Sequence, residues 1–210
     1  MTLSGKRISK GIGIGEVLCI RKNFDKIISR EKIDFSQVDS EISKFNKAKS
    51  KAIEALRDLE RKAMLQFGDD KKGIFEGQVL IVEDDELDEL VIELIVKENY
   101  SAAYSIYLAF ENLVKSVEDY KDPYLKERAS DYKDIRNRLI SIILGQVSDF
   151  SEINKDIILV TEELTPSDTM QFDLNYVKGF LTAVGGETSH AAYFGKNNGA
   201  SSACYDFVRY

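Results

Sequence analysis

Asp156-Ile157-Ile158-Leu159-Val160 is a short apolar run with the length of a buried strand. Thr165-Pro166-Ser167-Asp168 follows it, a capping residue, a proline at the first helical position and a carboxylate two residues later, which together signal a helix start. Gly179-Phe180-Leu181-Thr182-Ala183-Val184 reads as a second strand, and it runs directly into Gly185-Gly186-Glu187-Thr188-Ser189-His190. Strand, helix, strand and glycine loop, in that order, predict an α/β layer.

Working outward, residues 1–34 share the strand texture. The stretch is rich in glycine and isoleucine, with short apolar runs at Ile8–Gly15, at Glu16-Val17-Leu18-Cys19-Ile20 and at Lys26-Ile27-Ile28. Gly11-Ile12-Gly13-Ile14-Gly15 has the look of a phosphate loop, but no helix start follows it, and neither the Rossmann nor the Walker spacing is met. A turn or bulge between strands is the better reading, with glycine supplying the unusual backbone angles. The strand-rich start can pair with the strand-rich end, which would make the middle of the chain an insertion.

That middle is helical in pattern. Ser36 with Asp39 resembles a capping box. Val38, Ile42, Phe45, Ala52, Leu56, Leu59 and Ala63 then recur at three- or four-residue spacing, one apolar stripe on a long helix. Gly68-Asp69-Asp70 interrupts it. Further helices are predicted over about 71–82, from Asp84-Asp85 through Leu94, over 101–120 and over 124–144. Pro123 precedes the last of these and Gly145 follows it. Short connections between helices predict antiparallel packing in a bundle.

Composition sets the outer limits. Apolar residues make up 43% and charged residues 31%, the balance of a globular protein. No run reaches the roughly 18 apolar residues of a membrane span, and the first residues lead into no signal core, so a cytoplasmic protein is expected. A net charge of −7 argues against a nucleic-acid binder, which needs a basic face, and suits a basic protein partner. Cys19 and Cys204 form no CxxC pair and have no histidine nearby; a buried free thiol is expected at Cys19 and no zinc site.

The single histidine, His190, stands at the end of a strand pattern, behind two glycines and beside Thr188 and Ser189. Near neutral pH a substantial fraction of imidazole is unprotonated and nucleophilic. Gly185 and Gly186 permit close backbone approach, so that N–H groups can bind phosphate oxygens. Hydroxyls add hydrogen bonds or hold the ring in one rotamer. On residue types alone, a structural histidine stays open beside a phosphorylated one.

Gly185-Gly186-Glu187-Thr188-Ser189-His190 resembles the GGxTSH motif of enzymes that pass phosphate from phosphoenolpyruvate through histidine, among them enzyme I, pyruvate phosphate dikinase and phosphoenolpyruvate synthase. Other stretches choose among these. Residues 74–87, Ile74-Phe75-Glu76-Gly77-Gln78-Val79-Leu80-Ile81-Val82-Glu83-Asp84-Asp85-Glu86-Leu87, resemble the helical HPr-binding region of enzyme I of the bacterial phosphotransferase system. Tyr124-Leu125-Lys126-Glu127-Arg128-Ala129, with Asp131 and Asp134 after it, resembles a later helix of that family. Leu164–Thr169 and Ser9–Gly15 fit it too. Dikinases lack the helical insertion.

This resemblance implies an α and β protein. An α/β phosphohistidine subdomain, formed from residues 1–34 and 146–210, is interrupted by an all-α bundle over 35–145 that binds the phosphocarrier HPr. It implies that His190 takes a phosphoryl group from phosphoenolpyruvate on Nε2 and donates it to a histidine of HPr, with Thr169 as its hydroxyl partner. It implies docking through Asp69, Asp70, Gly73, Gln78 and Leu80, then Ile81, Asp84, Glu86, Leu87 and Arg128. Phosphoenolpyruvate and magnesium belong to a carboxy-terminal barrel in the family, so no cofactor is expected within this span, and a monomer is. The alternatives are a non-catalytic HPr-binding fragment and the phosphohistidine domain of a dikinase-like enzyme.

Two departures stand out. Glu187 replaces an arginine common in the motif, and a carboxylate there repels phosphate or raises the pKa of His190. After Phe194 the chain matches no expected strand, so the end reads as an altered tail with at most an improvised strand over 203–210.

Overall fold

A computed structural model describes residues 5–7, 12–20, 24, 27–67, 69–118, 123–146, 153–162, 164–170, 172–173, 175–183 and 201–205. The chain forms two compact units: Met1–Lys22 with Ser148–Tyr210, and Asn23–Val147.

The helical unit holds α1 (Val38–Phe67), α2 (Asp69–Val82), α3 (Asp85–Glu98), α4 (Ala102–Glu118) and α5 (Pro123–Ile143). The 3.6-residue repeat places these elements because each must bury one stripe. On α1, Val38, Phe45, Ala52, Leu56, Leu59 and Ala63 are buried as the spacing predicts, while Ile42 is half-buried. α1 packs on α2 and α5, and α4 packs on α5 and α3. Phe75, Phe110, Ile95, Ile106, Ile135 and Ile140 are fully buried. Each side chain of this kind contributes roughly 1.5–3 kcal/mol relative to leaving it exposed.

Two details of this unit correct the sequence reading. The capping box is Asp34 with Gln37, not Ser36 with Asp39. It opens a 3-10 turn at Phe35–Gln37 that leads into α1, and Ser36 donates to the Asp34 carboxylate from both its N–H (2.9 Å) and its hydroxyl (2.6 Å). The boundary also moves from 34/35 to 22/23. Phe24 and Ile28 are buried, the Ile33 N–H donates to the Asn99 carbonyl at 2.8 Å, and Lys32 bridges Tyr100 in the backbone. Ile27-Ile28 is accordingly no strand: the N–H groups of both donate to the Phe24 carbonyl, closing a turn, and Lys26 lies outside the described residues. The far boundary lies at 147/148 against the expected 145/146.

A buried carboxylate joins two helices. Glu41 on α1 is only 6% exposed; it accepts from the Ala102 N–H at 2.8 Å and from Lys44 at 2.5 Å. It thereby supplies the start of α4 with a carboxylate that α4's own first turn lacks, beside the Ser101 hydroxyl, which accepts from the Tyr104 N–H at 3.3 Å.

The α/β unit is a five-stranded sheet in the order β1-β5-β4-β3-β2, with β1 Gly5–Arg7, β2 Glu16–Ile20, β3 Ile157–Thr161, β4 Val177–Thr182 and β5 Ser201–Tyr205. The short helix α6, Pro166–Thr169, lies between β3 and β4 in sequence. β2, β3, β4 and β5 run parallel, and β1 pairs antiparallel with β5. The start of the chain does pair with its end: Leu18 lies opposite Leu159, and Leu159 opposite the buried Phe180. The strand in the tail is Ser201–Tyr205, inside the sheet between β1 and β4. Cys19 is exposed, not buried, because β2 is an edge strand that also leaves Val17 66% exposed. No helix among the described residues is long and apolar enough to cross a membrane.

Candidate functional site

The α/β site is approached through its framework. α6 begins as its sequence dictates. The Asp168 N–H donates to Thr165 Oγ1 at 3.2 Å, and the Thr165 N–H and hydroxyl donate to Asp168 Oδ2 at 3.0 and 2.9 Å. Both residues are buried, so this reciprocal cap also satisfies polar groups that water does not reach. Thr169 ends the helix. In the sheet, Thr161 and Thr182 face each other in register at the carboxyl ends of β3 and β4, each 5% exposed. The Ala183 N–H donates to the carbonyls of Thr161 and Glu162, which anchors the chain as it leaves the sheet. Open α/β sheets hold ligands beyond the carboxyl ends of their strands. Gly185, Gly186, Thr188, Ser189 and His190 follow β4 in sequence and lie outside the described residues. Sequence reading missed the buried Thr161–Thr182 pair; a threonine closing each strand pattern was its only signal.

The second candidate surface lies on α2, α3 and α5. Leu80 is 69% exposed, Gly73, Asp84 and Glu86 are exposed, and Ile81 is half-buried. Asp69 and Asp70 form the first turn of α2. Two expected members are not on the surface. Leu87 is buried in the first turn of α3, and Gln78 is 1% exposed. The family resemblance put Gln78 on the docking surface; packing against α5 puts it inside. Its Nε2 lies 3.3 Å from both Asp131 Oδ1 and Asp134 Oδ2. Arg128 is 42% exposed, with Nη1 3.6 Å from Asp131 Oδ2.

Asp84 has a structural duty as well. Its Oδ1 accepts from the N–H groups of Glu86 (2.9 Å) and Leu87 (3.2 Å), making it the N-cap of α3. Asp85, Glu86 and Asp88 add negative charge to the same first turn, where the helix dipole favours it. The result is an acidic ledge beside an exposed leucine, suited to a basic partner.

Comparison with known proteins covers both halves. The family model "PEP-utilising enzyme, N-terminal" matches residues 4–128, and "PEP-utilising enzyme, mobile domain" matches residues 153–201. The phosphoenolpyruvate-protein phosphotransferase of Borreliella burgdorferi is 97% identical over 199 residues, which is 95% of this chain and 35% of that protein. The protein of the same name from Buchnera aphidicola subsp. Schizaphis graminum is 37% identical over 196 residues, 93% of this chain and 34% of that one. A solution structure of Enzyme I (nEIt) superimposes with a TM-score of 0.76 at 34% identity, covering 96% of this chain and 81% of that chain. The N-terminal domain of Enzyme 1 - Nitrogen, at 17% identity and a TM-score of 0.67, shares the fold. The chain spans about a third of the length of the curated relatives it matches.

Proposed function

Because this chain belongs to the phosphoenolpyruvate-utilising enzyme family, as the amino-terminal part of a phosphoenolpyruvate-protein phosphotransferase (enzyme I), we propose that it relays a phosphoryl group through His190 to the phosphocarrier HPr. The neutral imidazole Nε2 attacks phosphorus and a P–N bond forms. The bond to the donor breaks, either to the enolpyruvate oxygen or, in the reverse exchange, to the imidazole of phospho-HPr. Loop N–H groups around Gly185 and Gly186 and the hydroxyls of Thr188 and Ser189 hold the phosphoryl oxygens as charge develops. Thr169 orients the ring. Loading from phosphoenolpyruvate, with magnesium, falls to a barrel in the part of the relatives that this chain does not span. The setting is cytoplasmic and the pathway serves sugar uptake.

HPr docks on the ledge of α2 and α3. The observation that carries this reading is the exposure of Leu80 next to Asp84 and Glu86: an apolar anchor rimmed by carboxylates, on a helix whose Phe75, Val79 and Val82 are buried. The test is exchange with phospho-HPr. An acid-labile phosphoryl group should appear on the wild-type chain and be missing from His190→Ala. Binding of HPr with no label on the wild type would leave a docking fragment without relay. Glu86→Lys should weaken HPr binding several-fold and steepen with lower salt. Glu86 is the position to reverse, because substitution at Asp84 also removes a cap.

A further inference from the structure

We infer that Gly77 and Gln78 are positioning residues, which together hold the Arg128 guanidinium in place on the docking face. This deepens the docking reading and rests on it.

Gln78 is buried between two carboxylates, with Nε2 3.3 Å from Asp131 Oδ1 and 3.3 Å from Asp134 Oδ2. Both acceptors are carboxylate oxygens, so the amide points its NH2 at them; the opposite flip would press a carbonyl oxygen against two anions. The amide thus ties Asp131, on α5, to α2. Asp131 in turn faces Arg128 one helical turn away, Oδ2 to Nη1 at 3.6 Å. The chain of contacts runs from a buried amide to a half-exposed cation.

Gly77 leaves the room on the other side. A Cβ built there would meet Arg128 Nη1 at 3.3 Å, and among the described residues it meets nothing else within 4 Å outside its own helix. Its φ lies outside the left-handed region, so the backbone does not require glycine. Glycine in mid-helix costs about 0.5–1 kcal/mol relative to alanine. The fold therefore loses by keeping Gly77, and the group that benefits is the guanidinium lying across it. A cation paired with Asp131 and fitted into the space that Gly77 leaves has less rotamer entropy to lose when it meets its partner.

The experiment measures HPr affinity of the whole 210-residue chain by calorimetry, together with thermal stability. Gly77→Ala should leave the melting temperature unchanged or raised while weakening HPr binding roughly three- to ten-fold, a split that a merely structural role would not produce. Gln78→Leu should weaken binding similarly. Where it melts the fold by stranding Asp134, Gly77→Ala carries the test. In an Arg128→Met background, neither substitution should weaken binding further. Wild-type affinity in Gly77→Ala, or undiminished effects beside Arg128→Met, would overturn the inference. Wild-type affinity in Arg128→Met alone would instead sink Arg128 as a docking residue, and this inference with it; that single variant tells the two failures apart.

Discussion

At Gly13 and Gly15 the missing side chain is what lets the backbone pass. A Cβ at Gly13 would sit 2.5 Å from the Lys178 carbonyl oxygen, and one at Gly15 2.6 Å from that of Asp156. Neither glycine has a positive φ, so these two serve close approach, not the unusual angles expected from sequence. The approach admits the hydrogen bond from the Glu16 N–H to the Asp156 carbonyl at 2.9 Å, which starts the β2–β3 pairing. Gly15→Ala should destabilise the α/β unit by about 1–3 kcal/mol, read as faster hydrogen exchange at the β3 amides with the helical unit unaffected. Asp34 allows a test of similar locality. The Ser36 hydroxyl and then the Ser36 N–H hold its carboxyl below the ordinary 3.8. A lowered folded value means that this cap contributes above about 3.8 and is lost as pH falls through the folded value. In Ser36→Ala the carboxyl titration, followed by NMR, should move back toward 3.8.

Among the elements, α2 and α3 show how one pattern divides between support and surface. Leu80 and Leu87 look alike in sequence, yet one is 69% and the other 8% exposed. Leu80→Ser should change stability by no more than about 0.5 kcal/mol in a denaturant melt. Phe75→Ala, one turn earlier on the buried face, should cost about 3–5 kcal/mol. Asp84→Ala should cost about 1 kcal/mol through loss of the α3 cap, whether or not HPr is present. The helices themselves were legible because a 3.6-residue stripe is a local signal, and the caps at Thr165 and Asp84 are local as well. The face of Gln78 was not: an amide reads as surface until a helix carrying two carboxylates is packed against it.

For the molecule as a whole, the division at 22/23 and 147/148 makes the helical unit one continuous stretch. Residues 23–147 produced alone should fold to a cooperative helical unit in circular dichroism. Residues 35–145 alone should melt lower, because that cut discards the buried Phe24 and Ile28 and the Ile33–Asn99 hydrogen bond. From sequence, this segment read as strand because its short isoleucine run matches a strand pattern. Its turn depends on where Phe24 and Ile28 find burial, which no local pattern reports.

The sequence by itself determined the helices, the α6 cap, the helical stretch between two strand-textured ends, and His190 as the candidate carrier. Each of these rests on neighbours close in the chain or on a contiguous motif. Only the tertiary structure decided that Ser201–Tyr205 is an inner strand, that Cys19 lies exposed on an edge, and that Gln78 faces inward to two aspartates. Strand membership and burial are properties of pairs: Ser201–Tyr205 is a strand because β1 and β4 flank it, and Gln78 is core because α5 covers it.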